Sequence, residues 1–455
     1  MADSGETVDD VTSMVAQTAA APAIVLVATE HAIVHHVVVL GAGPVPLGRV
    51  GAVTNGFELD DERVSRQHAE VTRRGRTWVI RDLGSRNGTF VDGERVIGEI
   101  AVSGDRVVRV GHSVLLLLEH GADQRDRGKD EADAVVGPEL ARINADIRRH
   151  AGAPSLLIHG ESGTGKELAA RLYHQAGPRA AGPFVPVNCA AIPEGVAERL
   201  LFGARKGAFS GATDAVGWVQ SAHGGTLFLD EVAELDAAVQ AKLLRVLESR
   251  EVVPVGASAG IKVELGVVAA THRDLRAAVS ERAFRDDLYY RIARPMVELP
   301  VLRARKADIP RLIKRALAEA DRGLSAHAKL IEACCMRAWP GNVRELQHAL
   351  RDAAATARGA GREVVRVEDL PAHAGIAVRR SITSPPGPVP IPSSVPIPSS
   401  VPTPSAAPVE RSRDELAAAL AAAAGNVSAA ARSLGLHRTQ LYRLLEKHGL
   451  RAADE

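Results

Sequence analysis

Two stretches of this chain carry residue types and spacings suited to phosphate chemistry. In GESGTGKE, the glycines Gly160, Gly163 and Gly165 are interspersed with Glu161, Ser162 and Thr164 ahead of Lys166 and Glu167. The apolar run SLLIHG precedes this loop and the helix-forming ELAARLYHQ follows it, so a strand, a tight turn and a helix start adjoin. Backbone N–H groups and the helix dipole would face an anion there, with Lys166 reaching the outer phosphates of a nucleotide. Generic loops of this kind place Ser or Thr after the lysine to hold magnesium, whereas here it is Glu167. The second stretch, GGTLFLDE, is an apolar strand that ends in paired carboxylates. Asp230 suits magnesium holding and Glu231 suits activation of water. Paired acids at a strand end can be merely solvated, and the phosphate loop upstream argues against that here.

Between the two lies GAFSGA: Gly207, Ala208, Phe209, Ser210, Gly211 and Ala212, behind the basic pair Arg205 and Lys206. A glycine-flanked loop offering an aromatic tip is suited to gripping a partner. A tight turn that folds Phe209 back onto the core fits the same letters. Nucleotide hydrolysis in a ring of subunits draws on an arginine from a neighbour. AFRDDLYYRI offers Arg285 and Arg291, and WPGNVREL offers Arg344. Each alone is a common surface ion-pair member; their order along the chain sets them apart.

These residues need elements to hold them, and 455 residues allow about three domains. From 23 to 120, short β-type runs broken by polar turns (AIVLVAT, IVHHVVVL, TWVIRDL, SVLLLLEH) predict an all-β sandwich. A polar link follows at 121–131. From 135 to 305, strands such as SLLIHG, FVPVNC, TLFLDE and LGVVAATH alternate with helical patterns, which predicts an α/β parallel sheet with helices on both faces. The pattern from 306 to 373 is helical. Proline-rich repeats (VPIPSS, VPIPSS, VPTPS) within 374–410 predict an extended spacer of about 3.1 Å per residue. The spacer isolates a small all-α unit at 411–455, where Ser412 and Glu415 suit a capping box.

Net charge is +1, so overall charge selects no partner and nucleic-acid binding requires a local patch. Three cysteines, two of them adjacent, give neither a disulfide framework nor zinc-ligand spacing and fit a reducing cytoplasm. The N-terminal 22 residues predict a disordered, acidic start without a secretory signal, and no run is apolar enough to span a bilayer. In GNVSAAARSLGLHRTQLYRLLEKHGL, Asn426 and Gly435 suit the start and end of a first helix. A second helix would carry Arg438, Thr439, Gln440 and Arg443 on its polar face, side chains that read base edges in the major groove. A dimerisation module with a solvated basic face fits the same spacing.

GESGTGKE, NCAAIPEG, LFG, GAFSGA, GGTLFLDE, QAKLLRVLE, AATHRDL, FRDDLYYRI and WPGNVREL stand in order between 160 and 346. In these motifs the chain resembles the central domain of sigma-54-dependent transcriptional activators, the bacterial enhancer-binding proteins of the AAA+ class. The resemblance implies an ATPase using ATP and Mg2+, with Gly160 to Glu167, Ala222, His223, Gly224, Gly225, Thr226, Leu227, Phe228, Leu229, Asp230, Glu231, Thr271 and Arg344 at the nucleotide. It also implies that Asn188 couples Glu231 to nucleotide state, that Thr271 and Arg344 belong to the two sensor motifs, and that Arg285 and Arg291 act in trans in a hexameric ring. GAFSGA would press on sigma-54 in the RNA polymerase holoenzyme. The chain departs from that pattern at Leu200, Ala204, Arg205 and Ser210, positions that bear on how nucleotide state reaches the loop.

The last segment is similar to the Fis-type helix-turn-helix that ends many such activators, implying enhancer DNA as partner with Arg438, Gln440 and Arg443 at the bases. In the β-rich unit, LGRVGAV, VSRQHAEV and DLGSRNGTFVDGERV resemble a forkhead-associated (FHA) domain, which binds phosphothreonine peptides. Carried over, Arg49, Ser65 and Arg66 would contact the phosphate and Asn87 the peptide backbone, flanked by Arg86 and Ser85. His68 and Gly48 would be structural. The implied activity is ATP-driven remodelling of sigma-54 polymerase under control of a phosphothreonine-containing protein, through a Ser/Thr kinase, in a dimer-to-hexamer assembly. The alternative is a DNA-bound phosphopeptide-dependent scaffold whose ATPase only governs assembly.

Overall fold

A computed structural model describes residues 21–30, 32–41, 43–125, 134–193, 195–208, 213–376 and 413–423, with Ala430 and Leu434. The chain separates into two compact units, Met1–Arg379 and Arg380–Glu455. The first begins with eleven short strands whose β-branched and aromatic residues suit a pleated, half-buried surface: β1 (Ala23–Ala28), β2 (Ile33–Val39), β3 (Val45–Arg49), β4 (Phe57–Leu59), β5 (Ala69–Arg74), β6 (Thr77–Asp82), β7 (Thr89–Val91), β8 (Glu94–Arg95), β9 (Glu99–Ser103), β10 (Arg106–Val110) and β11 (Ser113–Leu118). They form two sheets, ordered β2-β1-β11-β10-β7-β8 and β4-β3-β5-β6-β9. The inner faces meet on Ile24, Leu47, Phe57, Trp78, Ile80 and Leu115.

A five-stranded parallel sheet follows, ordered β13-β14-β17-β12-β18. Its members are β12 (Ser155–His159), β13 (Phe184–Asn188), β14 (Thr226–Asp230), β17 (Gly266–Thr271) and β18 (Met296–Glu298), and a small hairpin of β15 (Glu251–Val252) and β16 (Ile261–Lys262) lies between β14 and β17 in the chain. Helices α1 (Pro138–His150), α2 (Lys166–Ala176) and α3 (Ala237–Ser249) accompany it. Strands this apolar must be covered on both faces. One face packs on Ile147, Ala170 and Tyr173, the other on Leu201, Leu243 and Leu247. A helical subdomain closes the unit: α4 (Ile309–Ala320), α5 (Ala328–Met336) and α6 (Asn342–Gly359). Burial pushes the Cys189 and Cys334 thiols up to about 12, so both stay protonated at neutral pH. Among the described residues no helix is long and apolar enough to cross a membrane.

β1 and β11 are buried along their whole length. Ile24 and Leu26 point into the sandwich, while Val25 and Val27 point outward into a second core. Leu115 and Leu117 face inward in the same way; Val114, Leu116 and Leu118 face outward. That second core is the helical subdomain, contributing Leu312, Ile313, Leu330, Cys334 and Leu350. The sheet therefore serves two cores at once. A buried ion pair seals the junction: Arg109 Nε donates to Glu332 Oε2 at 2.6 Å, with both side chains under 10% exposed. The guanidinium lies 4.0 Å from the Phe90 ring centroid and also donates to the Gly111 carbonyl.

In the second unit, α7 (Arg413–Ala422) is the described helix, and Leu416 on it is buried. Ser412, Asn426, Gly435, Arg438, Thr439, Gln440 and Arg443 lie outside the described residues, as does the proline-rich spacer.

Removing one member of a buried ion pair strands the other charge, at a cost of about 3–5 kcal/mol. Glu332→Ala is therefore expected to lower the thermal midpoint of the full chain by several degrees. Arg109→Met combined with Glu332→Leu should recover most of it. Calorimetry of the three proteins checks this, and a double variant no better than the single one contradicts the ion-pair account.

Candidate nucleotide and phosphopeptide sites

The loop after β12 turns on Gly163 (φ 77°) and Gly165 (φ 107°), left-handed conformations that cost glycine little. Space also demands glycine at 163, where a Cβ would sit 2.2 Å from the Gly341 carbonyl oxygen. Lys166 opens α2 at 7% exposure, its Nζ donating to the carbonyls of Gly160 at 3.0 Å and Glu161 at 3.5 Å. The loop borders a crevice of about 500 Å3, together with Asn188, Asp230, Glu231, Arg344 and apolar side chains including Val135, Leu140, Leu172 and Leu312. An ammonium turned onto main-chain oxygens, beside glycine amides and an apolar wall, fits a nucleoside triphosphate.

Glu231 is held through both its backbone and its side chain. Its backbone is left-handed, φ 53° and ψ 50°, which costs a non-glycine residue roughly 1–2 kcal/mol. That conformation turns Oε1 to within 3.4 Å of Lys166 Nζ. Oε2 accepts from the ring Nδ1 of His272 at 2.7 Å and from its backbone N–H at 3.3 Å. Burial alone would raise the Glu231 carboxyl, but His272 and Lys166 outweigh it and hold the group below its ordinary value. Asp230 goes the other way: burial raises it against the opposing pull of Lys166. Neighbouring carboxyls pushed apart are a familiar basis for distinct roles. Both line the crevice and suit magnesium. Glu167, at the usual hydroxyl position, instead pairs with Arg171 at 2.7 Å.

Sequence reasoning had missed His272, although it follows Thr271 in AATHRDL; nothing in the letters said that its ring would reach back to Glu231. It had also missed the clasp from the helical subdomain. Arg303 binds Glu161 through two hydrogen bonds of 3.1 and 2.7 Å. Asn342 Nδ2 donates to Glu161 Oε2 and to the Ser162 carbonyl, both at 3.0 Å. Arg344 Nη1 donates to Ser162 Oγ at 3.1 Å.

Several expected nucleotide contacts are not brought to the crevice. Of the segment 222–231, only Asp230 and Glu231 line it. Ala222, His223, Gly224, Gly225 and Thr226 lie at the far end of β14, and Leu227, Phe228 and Leu229 are buried within the sheet. Four rises of about 3.3 Å put the two ends of this strand about 13 Å apart, and the carboxylates stand at the end beside the phosphate loop. Thr271 is fully buried, its hydroxyl oxygen accepting from the Arg273 N–H. The Asn188 side chain accepts from the Ala190 N–H at 3.0 Å, and its hydrogen bond is not to Glu231. Arg285 pairs with Asp287, and Arg291 Nη2 donates to the Leu247 carbonyl; neither lines this crevice. Gly207 and Ala208 are described, while Phe209, Ser210, Gly211 and Ala212 lie outside the described residues.

At one end of the sandwich, Arg49 Nε donates to the Val64 carbonyl at 3.0 Å and Nη2 to that of Glu62 at 3.1 Å. Ser65 Oγ accepts from the Arg86 N–H at 3.2 Å, and Asn87 Nδ2 donates to the Arg63 carbonyl at 2.7 Å. These bonds tie Arg49, at the end of β3, to the loop that holds Ser65 and Arg66, and that loop to the one that holds Arg86 and Asn87. Asp82 pins the second loop, accepting from Ser85 Oγ at 2.6 Å and Thr89 Oγ1 at 2.7 Å. Burial lowers the pKa of His68, and its neutral ring accepts from the Ser65 N–H at 3.0 Å and donates to the Gly88 carbonyl at 3.3 Å. Gly48 has no room for a side chain: a Cβ would lie 2.1 Å from the Arg66 carbonyl oxygen.

Residues 45–111 match the FHA domain, 137–298 the sigma-54 interaction domain, 303–382 the AAA+ ATPase lid domain and 408–448 the Fis family of bacterial regulatory proteins. A Nif-specific regulatory protein of Herbaspirillum seropedicae is 46% identical over 242 residues, covering 51% of this chain and 45% of the relative. That of Rhodobacter capsulatus is 44% identical over 348 residues, covering 69% and 60%. The transcriptional regulatory protein GlrR of Escherichia coli is 35% identical over 344 residues, covering 74% and 72%. The chain thus spans about half of the first relative and three-fifths of the second. It nevertheless matches most of GlrR, with the four domain families in unbroken order, and so belongs to the sigma-54-dependent transcriptional activators of the AAA+ class, carrying an FHA domain before the ATPase and a Fis-type DNA-binding domain after it.

Proposed function

We propose that this protein hydrolyses ATP in a ring and uses the energy to remodel sigma-54 RNA polymerase at promoters, under control of a phosphothreonine-bearing partner. The observation that carries the reading is Glu231, held left-handed against Lys166 and His272 at the mouth of the nucleotide crevice. As general base it takes a proton from water while that oxygen bonds to the γ-phosphorus and ADP departs with the bridging oxygen. Asp230 would hold magnesium, which would supply charge neutralisation on the phosphates. Arg285 and Arg291, away from their own crevice, serve the neighbouring subunit. Phe209 in GAFSGA presses on sigma-54, residues 411–455 place the ring on enhancer DNA, and Arg49, Ser65 and Arg66 read the phosphate.

A second reading, a DNA-bound scaffold with the ATPase governing only assembly, is favoured by the departures at Leu200, Ala204 and Arg205. Phe209→Ala separates the two. As an activator, this variant keeps ATP hydrolysis and loses promoter opening by purified protein with sigma-54 holoenzyme; under the scaffold reading its output in cells is unchanged.

Glu231→Gln should retain nucleotide binding and lose hydrolysis by about 10²–10⁴-fold. Because His272 holds the Glu231 carboxyl below its ordinary value, that group stays ionised until the pH falls through the lowered pKa. His272→Ala removes this support, so the acid limb of the kcat profile should move to higher pH; an unmoved limb excludes the role given to His272. Arg49→Ala should abolish capture of phosphothreonine peptides, and equal recovery by wild type and variant would remove the sensor from the account.

A further inference from the structure

We infer that the phosphothreonine peptide is bound between the FHA domain and the ATPase lid, with lid side chains reading the residues that flank the phosphothreonine. The inference rests on the reading of Arg49, Ser65 and Arg66 as the phosphate site. Asn87, the exposed residue proposed to hold the peptide backbone, lines a crevice of about 870 Å3. Arg63 and Phe90 form its wall on the FHA side, and Lys329, Glu332, Met336 and Ile376 form the wall on the lid side. A peptide anchored at Asn87 therefore continues into a space that the FHA domain only half encloses.

The crevice has the makings of a binding site. Met336 is 42% exposed and Ile376 55% exposed, so two large apolar side chains of the lid face solvent. Glu332 is 5% exposed; its Oε2 is taken by Arg109, but its Oε1 is buried without a hydrogen-bond partner. A buried carboxylate oxygen left unsatisfied is costly, and a donor from a bound chain relieves it. The occupant that fits is the phosphothreonine peptide itself. One flanking apolar residue would lie against Phe90, Met336 and Ile376, and an N–H or O–H would meet Glu332 Oε1. Lys329 beside it favours an acidic neighbour in the peptide.

Such a ligand feels the lid's position. The lid grips the phosphate loop through Asn342 and Arg344, and the Val343 N–H donates to the Gly163 carbonyl at 3.1 Å. Helices α5 and α6 share one core with β1 and β11. Nucleotide must then change peptide affinity by the same factor that peptide changes nucleotide affinity.

The test uses the full chain and an oriented library of phosphothreonine peptides with randomised flanks, beside its unphosphorylated counterpart. Lys329→Glu and Met336→Glu alter exposed side chains. Both are expected to change the selected flanking residues and to weaken the best wild-type peptide by about tenfold, with phosphothreonine still required. A non-hydrolysable ATP analogue should shift that peptide's affinity by about fivefold relative to ADP. Unchanged selection and affinity in both lid variants, or indifference to nucleotide, overturns the inference while leaving the phosphate site intact if Arg49→Ala still abolishes binding. Equal binding of phosphorylated and unphosphorylated libraries by wild type overturns the phosphate site, and this inference with it.

Discussion

The use of both faces of one β-sheet is the constraint on which this molecule turns. β1 and β11 send alternate side chains into the FHA sandwich and into the ATPase lid. Alternation with period two makes this possible without enlarging either core. It also means that neither partner can slip by a residue without presenting the wrong face to both. The ion pair between Arg109 and Glu332 fixes the seam further, since two charges taken out of water tolerate little displacement before their desolvation goes uncompensated. A domain hung on a flexible tether would need to find the ATPase each time. Here the lid is part of the FHA domain's own packing.

The lid is correspondingly the common member of two contacts. On one side it carries the outward residues of β1 and β11; on the other it clasps the phosphate loop through Arg303, Asn342 and Arg344. Gly163 shows how close that second contact is, because any side chain there would collide with the Gly341 carbonyl. Interfaces packed this tightly move as units. Movement of the lid over a nucleotide would therefore carry the sandwich with it, and resistance from the sandwich would be felt at Ser162 and Glu161.

The chain's sequence made the chemistry legible before its placement. GESGTGKE and GGTLFLDE announced a phosphate loop and paired carboxylates because those functions require fixed residue types at fixed local spacing. The strands of both β-rich regions were readable for the same reason, as period-two or continuous apolar runs. What escaped was long-range. The partner of Glu231 is forty-one residues away, and His272 has no feature in the letters that distinguishes it from a surface histidine. The run AIVLVA could be seen as a strand, yet its continuous hydrophobicity did not say that a lid 300 residues later would cover the outer face. Segment motifs also overreach: GGTLFL belongs to the pattern because it builds β14, while only its terminal carboxylates reach the crevice.

The departures near GAFSGA gain a physical meaning from their surroundings. Ala204 is buried, pairing through its backbone with Ala215 on one side and lying beside Val255 on the other. The Arg205 N–H donates to the Val255 carbonyl at 3.0 Å, and the Arg205 side chain lies 3.7 Å from Asp214. The Lys206 N–H donates to the same Asp214 carboxylate at 3.1 Å. A small residue at 204 lets three backbone segments approach one another, and the arginine's charge is answered within the stem of the loop. These contacts knit together the described residues on either side of 209–212. Leu201 and Phe202, just before this segment, are buried in one core with Leu227 and Leu229 of β14.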